Sequence, residues 1–273
     1  MPADSLQFVA MNDSMVFAGN RFLNGAWQGF VLKGDAITAL PCVATGMNAT
    51  GDVACLVDHR PNLWHSGALT PVLDDSITVG SAKLTDAGIW YGTASNGGAW
   101  RSIGGAYESI WFGVGAGSAN AAGDVPVSSV DLYSTGFVWA VASSTSPTLG
   151  TWGRYSHARA INDAGDIVGD AERQPGHGSV AVLARKTNEY RTDSIGSPRF
   201  TTDAAWFINN HDVILGHGSV GIFLMHGTDI VLLSDLVIGE SDVSRVVSFT
   251  DGGRILARGM PSATGPWLAF IPQ

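Results

Sequence analysis

Seven recurrences of one short turn, about forty residues apart, predict an all-β chain folded as a seven-bladed β-propeller whose blades are mostly four-stranded and antiparallel. Two further observations support that class. Each turn joins two apolar runs short enough to be strands, and no proline-rich linker, charge run or shift in composition divides the chain. Residues 1–273 therefore read as a single domain.

The clearest copy of the turn runs from Ala160 to Gly169: Ala160-Ile161 leads into Asn162-Asp163-Ala164-Gly165, and Asp166-Ile167-Val168 leads out. Asparagine at the first turn position can bond its own backbone, and glycine three residues later can take the positive φ that returns the chain to a strand. The same anchor position is filled by Asn12, Asn48, Thr85, Asn120, Asn209 and Thr250. A third apolar run follows the hairpin, as at 27–32, 135–140, 179–183, 220–224 and 267–271, and a fourth closes most copies, as at 36–40 and 229–233. One such blade cannot hide both faces from water, whereas a radial ring buries them against each other. A β-sandwich has no reason to repeat, and the coils of a β-helix are shorter.

Ring closure gives a sharper expectation. The last copy stops at its third strand, and residues 1–5 are too few to add another. The final blade is expected to hold three strands, or to have its edge completed by another chain, which would make it a site of self-association.

Composition bounds the function. Hydrophobic residues at 45% and charged residues at 14% exclude a disordered polymer, and 35 glycines without a three-residue period exclude collagen. A balance of 24 acidic against 15 basic residues gives a net charge of −9, with Lys33, Lys83 and Lys186 the only lysines. No nucleic-acid partner is expected. No apolar run approaches the ~18 residues of a membrane helix, so no membrane insertion is expected. The first residues lack a basic segment followed by an apolar one, which fits an extracellular or cell-surface protein only if a signal has been removed. Cys42 and Cys55 fall on one expected hairpin; strand register decides whether they are two buried small hydrophobes or a disulfide.

The phrase Ile161-Asn162-x-x-Gly165-x-Ile167-Val168-Gly169, alternating with apolar-aromatic third strands, resembles the HAF-type repeats of bacterial extracellular proteins. The resemblance covers nearly the whole chain, is best over 156–196 and 199–238, and departs from the pattern where Thr85 and Thr250 replace the turn asparagine. It implies a propeller and no particular activity or catalytic residue.

In such a ring, loops joining second to third strands gather on one face and the anchor turns on the other. The first face is the richer chemically, carrying Arg21, Asp58, His59, Arg60, Tyr91, Asp131, Tyr133, Asp170, Glu172, Arg173, His177, His217 and Arg258. His177-Gly178-Ser179-Val180 and His217-Gly218-Ser219-Val220 recur in adjacent copies, which would bring two imidazoles to related places around the axis. Such a pair could hold a metal or move protons, but an inherited loop residue is the plainer explanation, and no metal and no cofactor are expected. Asp52, Asp124 and Asp166 read as turn stabilisers rather than calcium ligands. Among nine tryptophans, Trp27, Trp139, Trp206 and Trp267 fall in strands, while Trp64, Trp90 and Trp100 lie nearer loops and are the better candidates for exposure and stacking on a sugar.

The leading functional reading is a non-catalytic recognition module that binds carbohydrate ahead of peptide or protein. Its ligand-binding residues would be Arg21, Asp58, His59, Arg60, Tyr91, Tyr133, Arg173, His177, His217, Arg258, Trp64 and Trp100. The alternative is a polysaccharide lyase, in which His59, His177, His217, Tyr133, Arg60 and Arg173 neutralise a uronate carboxylate and abstract the adjacent proton. An assembly scaffold that accepts a strand at its last blade is the third reading. GxSxG, HExxH, P-loop and EF-hand patterns are all absent.

Overall fold

The turn chemistry read from Asn162 operates at all seven anchors. In each, the anchor's amide donates to the carbonyl four residues on, and its carbonyl accepts from the amide three residues on. The residue at that third position has positive φ in every copy: Gly51, Gly88, Gly123, Gly165 and Gly253, with Met15 and Asp212 as the non-glycine cases. The anchor side-chain oxygen then accepts the amide four residues on, as from Val16 to Asn12 at 3.0 Å and from Asp166 to Asn162 at 2.9 Å. Thr85 and Thr250 do the same through their hydroxyls, each at 3.1 Å, so the threonine departures preserve the bond.

A computed structural model of the chain describes residues 5–114, 117–129, 136–139, 155–172, 178–197, 201–236, 243–259 and 267–270. The first sheet comprises β1 (Leu6–Met11), β2 (Val16–Leu23), β3 (Ala26–Lys33) and β4 (Ala36–Ala39), and the second β5 (Val43–Met47), β6 (Val53–Val57), β7 (Arg60–His65) and β8 (Ala68–Pro71). The third contains six strands: β9 (Lys83–Leu84), β10 (Trp90–Thr93), β11 (Gly98–Ile103), β12 (Ala106–Val114), β13 (Val125–Ser129) and β14 (Gly136–Trp139). The fourth holds β15 (Ser156–Ile161), β16 (Ile167–Glu172), β17 (Ser179–Ala184) and β18 (Thr192–Ser194), and the fifth β19 (Thr202–Ile208), β20 (Val213–Gly218), β21 (Gly221–His226) and β22 (Asp229–Leu232). The sixth holds β23 (Val243–Phe249), β24 (Ile255–Gly259) and β25 (Trp267–Phe270). No helix among the described residues is long and apolar enough to cross a membrane.

The propeller thus has six blades, and the seven expected from the sequence are corrected by one pairing. Strand β12 runs on far enough to bond β13 through Gly113↔Ser129 and Val114↔Ser128, which fuses the third and fourth repeats into one sheet. Counting turns overcounts sheets because a turn fixes its own hairpin and does not control how far the next strand extends. The three-stranded last sheet is as expected.

The core lies between sheets. Phe223, fully buried, packs with Val168, Ala181, Ala205 and Ile214, joining the fourth and fifth sheets, while Val31, Leu40, Val53 and Cys55 join the first and second. Cys42, immediately before β5, is disulfide-bonded to Cys55 on β6, with Cα atoms 5.6 Å apart.

Neighbouring anchor turns also grip one another. The residue after an anchor accepts an amide from the turn before it: Ala49 N–H donates to Asp86 at 2.5 Å, Ala121 to Asp163 at 2.7 Å, Asp163 to Asn210 at 2.8 Å and Asn210 to Asp251 at 2.9 Å. The same link closes the ring, since Gly252 N–H donates to Asp13 at 3.0 Å and the Thr250 hydroxyl donates to the same carboxylate. A Cβ on Gly252 would lie 2.5 Å from Asp13 Oδ1, so a larger residue there would push the carboxylate out of this position. Phe8 and Trp267 meet edge to face at 5.3 Å on the same seam. Among the described residues, first and last sheets share no strand, and each hydrogen bond named across the seam has a side chain on at least one side.

Asp13→Ala is expected to lower stability by about 1–3 kcal/mol by leaving two donors of the last turn unpaired, with Asp13→Asn recovering much of it because Asn210 already serves the same role elsewhere. Urea denaturation of the three proteins measures this. Reducing the disulfide, which closes a 13-residue separation, is expected to cost about 3 kcal/mol by the same measurement.

Candidate functional site

The first strand of each repeat faces the axis, so together these strands line a channel. At the anchor-turn end a cavity of about 270 Å³ is ringed by Asp13, Asp86, Asp163, Asn210 and Asp251, the residues that tie the turns together. Met47, Leu84, Tyr91, Ile208 and Phe249 pass from it into a middle cavity of about 200 Å³. Val9, Thr45, Lys83, Phe207 and Val247 lead on into a third cavity of about 620 Å³ at the opposite end.

The two ends differ in charge. The third cavity is lined by Lys83, Arg245 and Arg258, with no aspartate or glutamate among the described residues around it. Arg245 and Arg258 face each other across β23 and β24, and Arg258 in turn faces Trp267 across β24 and β25, its guanidinium 5.3 Å from the indole centre. Lys83 opens onto channel solvent but protein surrounds it, and burial pulls its pKa below the ordinary lysine value; its Nζ lies 3.4 Å from the Gly117 carbonyl. Further in, burial and then the charge of Asp86 push the Tyr91 phenol far above its usual range, keeping it neutral.

The residues predicted from sequence are dispersed. Among the described residues Arg258 alone of the cationic candidates lines the channel; Tyr91 also lines it, but as a buried wall. Arg21 donates to Gln28 at 3.0 Å, and Asp58 and His59 form an exposed turn of positive φ between β6 and β7. Arg60 lies 3.6 Å from Asp75 at the surface. His217 stacks on Trp206, itself a lining residue of the middle cavity, with 5.6 Å between rings and lies 3.4 Å from Asp203, but lines none of the three cavities itself. Tyr133, Arg173, His177 and Asp131 lie outside the described residues. Trp64 is half-buried against the core of the second sheet. The exposure expected of Trp90 and Trp100 is not found: both are buried, and Trp100 donates its indole N–H to the Ser81 carbonyl at 2.9 Å while stacking on Tyr107.

Sequence reasoning passed over Lys83 and Arg245 because it searched loops, and both stand on first strands. The available signal was a cation a few residues before an anchor, inside a run otherwise apolar. It also passed over Arg159 and His157 on β15, which grip the buried Asp170 at 2.5 and 2.9 Å. Burial there raises the Asp170 pKa, but hydrogen bonding to His157 and the charge of Arg159 outweigh it and hold the carboxyl below its usual range. Asp166 likewise binds Arg185 at 2.7 Å and the Lys186 amide at 2.9 Å, a structural use. Among the described residues no cluster of three histidine, cysteine or acidic side chains is placed to hold a metal ion.

No protein-family model matches the chain, and no curated protein sequence matches it. Solved structures do. The β-propeller domain of the Trilobed protease from Pyrococcus furiosus, described as having an open velcro topology, aligns over 98% of this chain and 93% of its own with a TM-score of 0.65 at 8% identity. Pyrococcus horikoshii acylaminoacyl peptidase aligns over 99% of this chain and 51% of its own, with a TM-score of 0.68 at 11% identity. YCF48 bound to D1 peptide aligns over 100% and 96%, with a TM-score of 0.58 at 12% identity. At these identities the likeness shows a propeller fold.

Asp170→Asn is expected to lower stability by about 1–3 kcal/mol at neutral pH, because hydrogen bonds to a charged partner are lost. A depressed carboxyl pKa adds stability above the unfolded value of about 3.9, lost as pH falls through the lower folded value. Denaturation across pH 7 to 2 should therefore show wild type and variant converging only at the acid end.

Proposed function

We propose that this propeller is a non-catalytic ligand-recognition module that receives its ligand in the axial channel, through the mouth opposite the anchor turns. The observation that carries this reading is the convergence of Lys83, Arg245 and Arg258 on one cavity in a chain whose net charge is −9. Like charges gathered at one place cost stability in a fold and are retained where a ligand uses them. His59, Arg60 and His217 of the lyase reading line none of the channel cavities, and each is engaged or exposed elsewhere.

Peptide is the better supported ligand class, ahead of the carbohydrate favoured by the sequence. Stacking on sugar needs an open indole face, and Trp27, Trp64, Trp90, Trp100, Trp206 and Trp267 are all buried or half-buried. The propeller that resembles this one in complex with a D1 peptide supports the same preference.

Screening the protein on arrays of peptides and of glycans tests the reading, with Val247→Trp as the variant that narrows the channel. Wild type should capture peptides, and Val247→Trp should weaken that capture at least tenfold while keeping the wild-type circular dichroism. Hits bound equally by both proteins would move the site to the outer loops, and capture of glycans alone would reinstate the lectin reading.

A further inference from the structure

Two of the cations at the channel mouth, Lys83 and Arg245, do not have the setting of structural ion pairs among the described residues. Arg245 and Arg258 are directly opposite on adjacent antiparallel strands, where like charges repel. Among the described residues neither Lys83 nor Arg245 forms an ion pair with an acid. Elsewhere the same chain does pair its arginines, as Arg185 with Asp166 and Asp212 and Arg101 with Glu108. The acidic residues near the axis stand at the far mouth, bound into the ring of turns.

We infer that this mouth binds a carboxylate-bearing peptide, held by Arg245 and Arg258 of the last sheet and Lys83 of the third. The inference rests on the proposed channel site and adds the chemistry of its ligand. A carboxylate reaching Arg245 would gain charge-assisted hydrogen bonds with Arg258 opposite it in the register, and a guanidinium suits that geometry better than any other side chain. Lys83, shared by this cavity and the middle one, stands deepest, so an anion would meet the arginines first and the amine last. Burial lowers the Lys83 pKa, and a carboxylate beside it would oppose that shift.

The remainder of the wall favours a peptide over a uronate glycan. Phe8, Val9, Phe207 and Val246 offer apolar surface for side chains flanking a carboxylate. A sugar ring would need open indole faces and several uncharged partners for its hydroxyls. Trp267 carries Arg258 on its ring and Phe8 against it, and the Thr45 hydroxyl already donates to the Ala54 carbonyl at 3.0 Å. The aspartates of the far mouth would repel a second carboxylate, so entry is from the cationic end.

A pool of randomised decapeptides passed over the immobilised protein provides the test. Retained peptides should be enriched in aspartate and glutamate, or in a free over an amidated C-terminus; the first result assigns the carboxylate to a side chain, the second to the chain end. Affinity of a retained peptide should fall at least tenfold in Arg245→Gln and in Lys83→Met, and should weaken with added salt. Arg245→Gln without peptide should also melt at a higher temperature than wild type, which an arginine kept for structure would not do. Enrichment of neutral or basic peptides, equal binding by the variants, or binding of oligogalacturonate and not of peptides would overturn the inference. If neutral peptides are retained and Val247→Trp releases them, the channel reading stands and the carboxylate reading alone fails.

Discussion

The structure depends on one hydrogen bond made seven times: an anchor oxygen, from asparagine or threonine, that accepts the amide four residues further along. Four short residues between two strands would otherwise leave buried amides unpaired, and an unpaired buried donor costs more than a formed bond gains. With that bond in place each hairpin has a fixed register, and its first strand can be presented to the axis. The next residue then ties each turn to its neighbour. Local turn chemistry and global ring geometry are therefore set within two adjacent positions, which is the consistency between levels expected of a foldable repeat.

That consistency explains what could be read beforehand. The anchors, the four-strand rhythm of most sheets and the three-stranded last sheet were all legible, since each follows from turn residues or from strand counting. The number of blades was not. It turned on whether β12 would extend to Gly113 and Val114, and nothing in the turn at Asn120 reports that. The disulfide was open for the same reason: Cys42 precedes its strand, and its distance from Cys55 depends on register.

The site was less legible than the fold. Loops drew attention because binding residues so often stand on them, and in this chain the candidates Arg21, Arg60 and His217 found local partners. The cations that converge are on strands and become neighbours only when the ring closes, Lys83 from the third sheet and Arg245 and Arg258 from the sixth. Only Arg258 was named from sequence. Their conflict with good sheet pairing is visible in the register, as sites that sacrifice stability for use commonly are.

The side-chain seam has a mechanical meaning. Every other junction between neighbouring sheets is crossed by the backbone, whereas first and last meet through Asp13, Thr250, Gly252, Phe8 and Trp267. Opening the ring there would break those contacts without removing a strand from any sheet. Because the cationic cavity opens on that same line, a guest lodged in it would touch both sides of the joint and act as a rivet, so that occupancy and resistance to opening rise together.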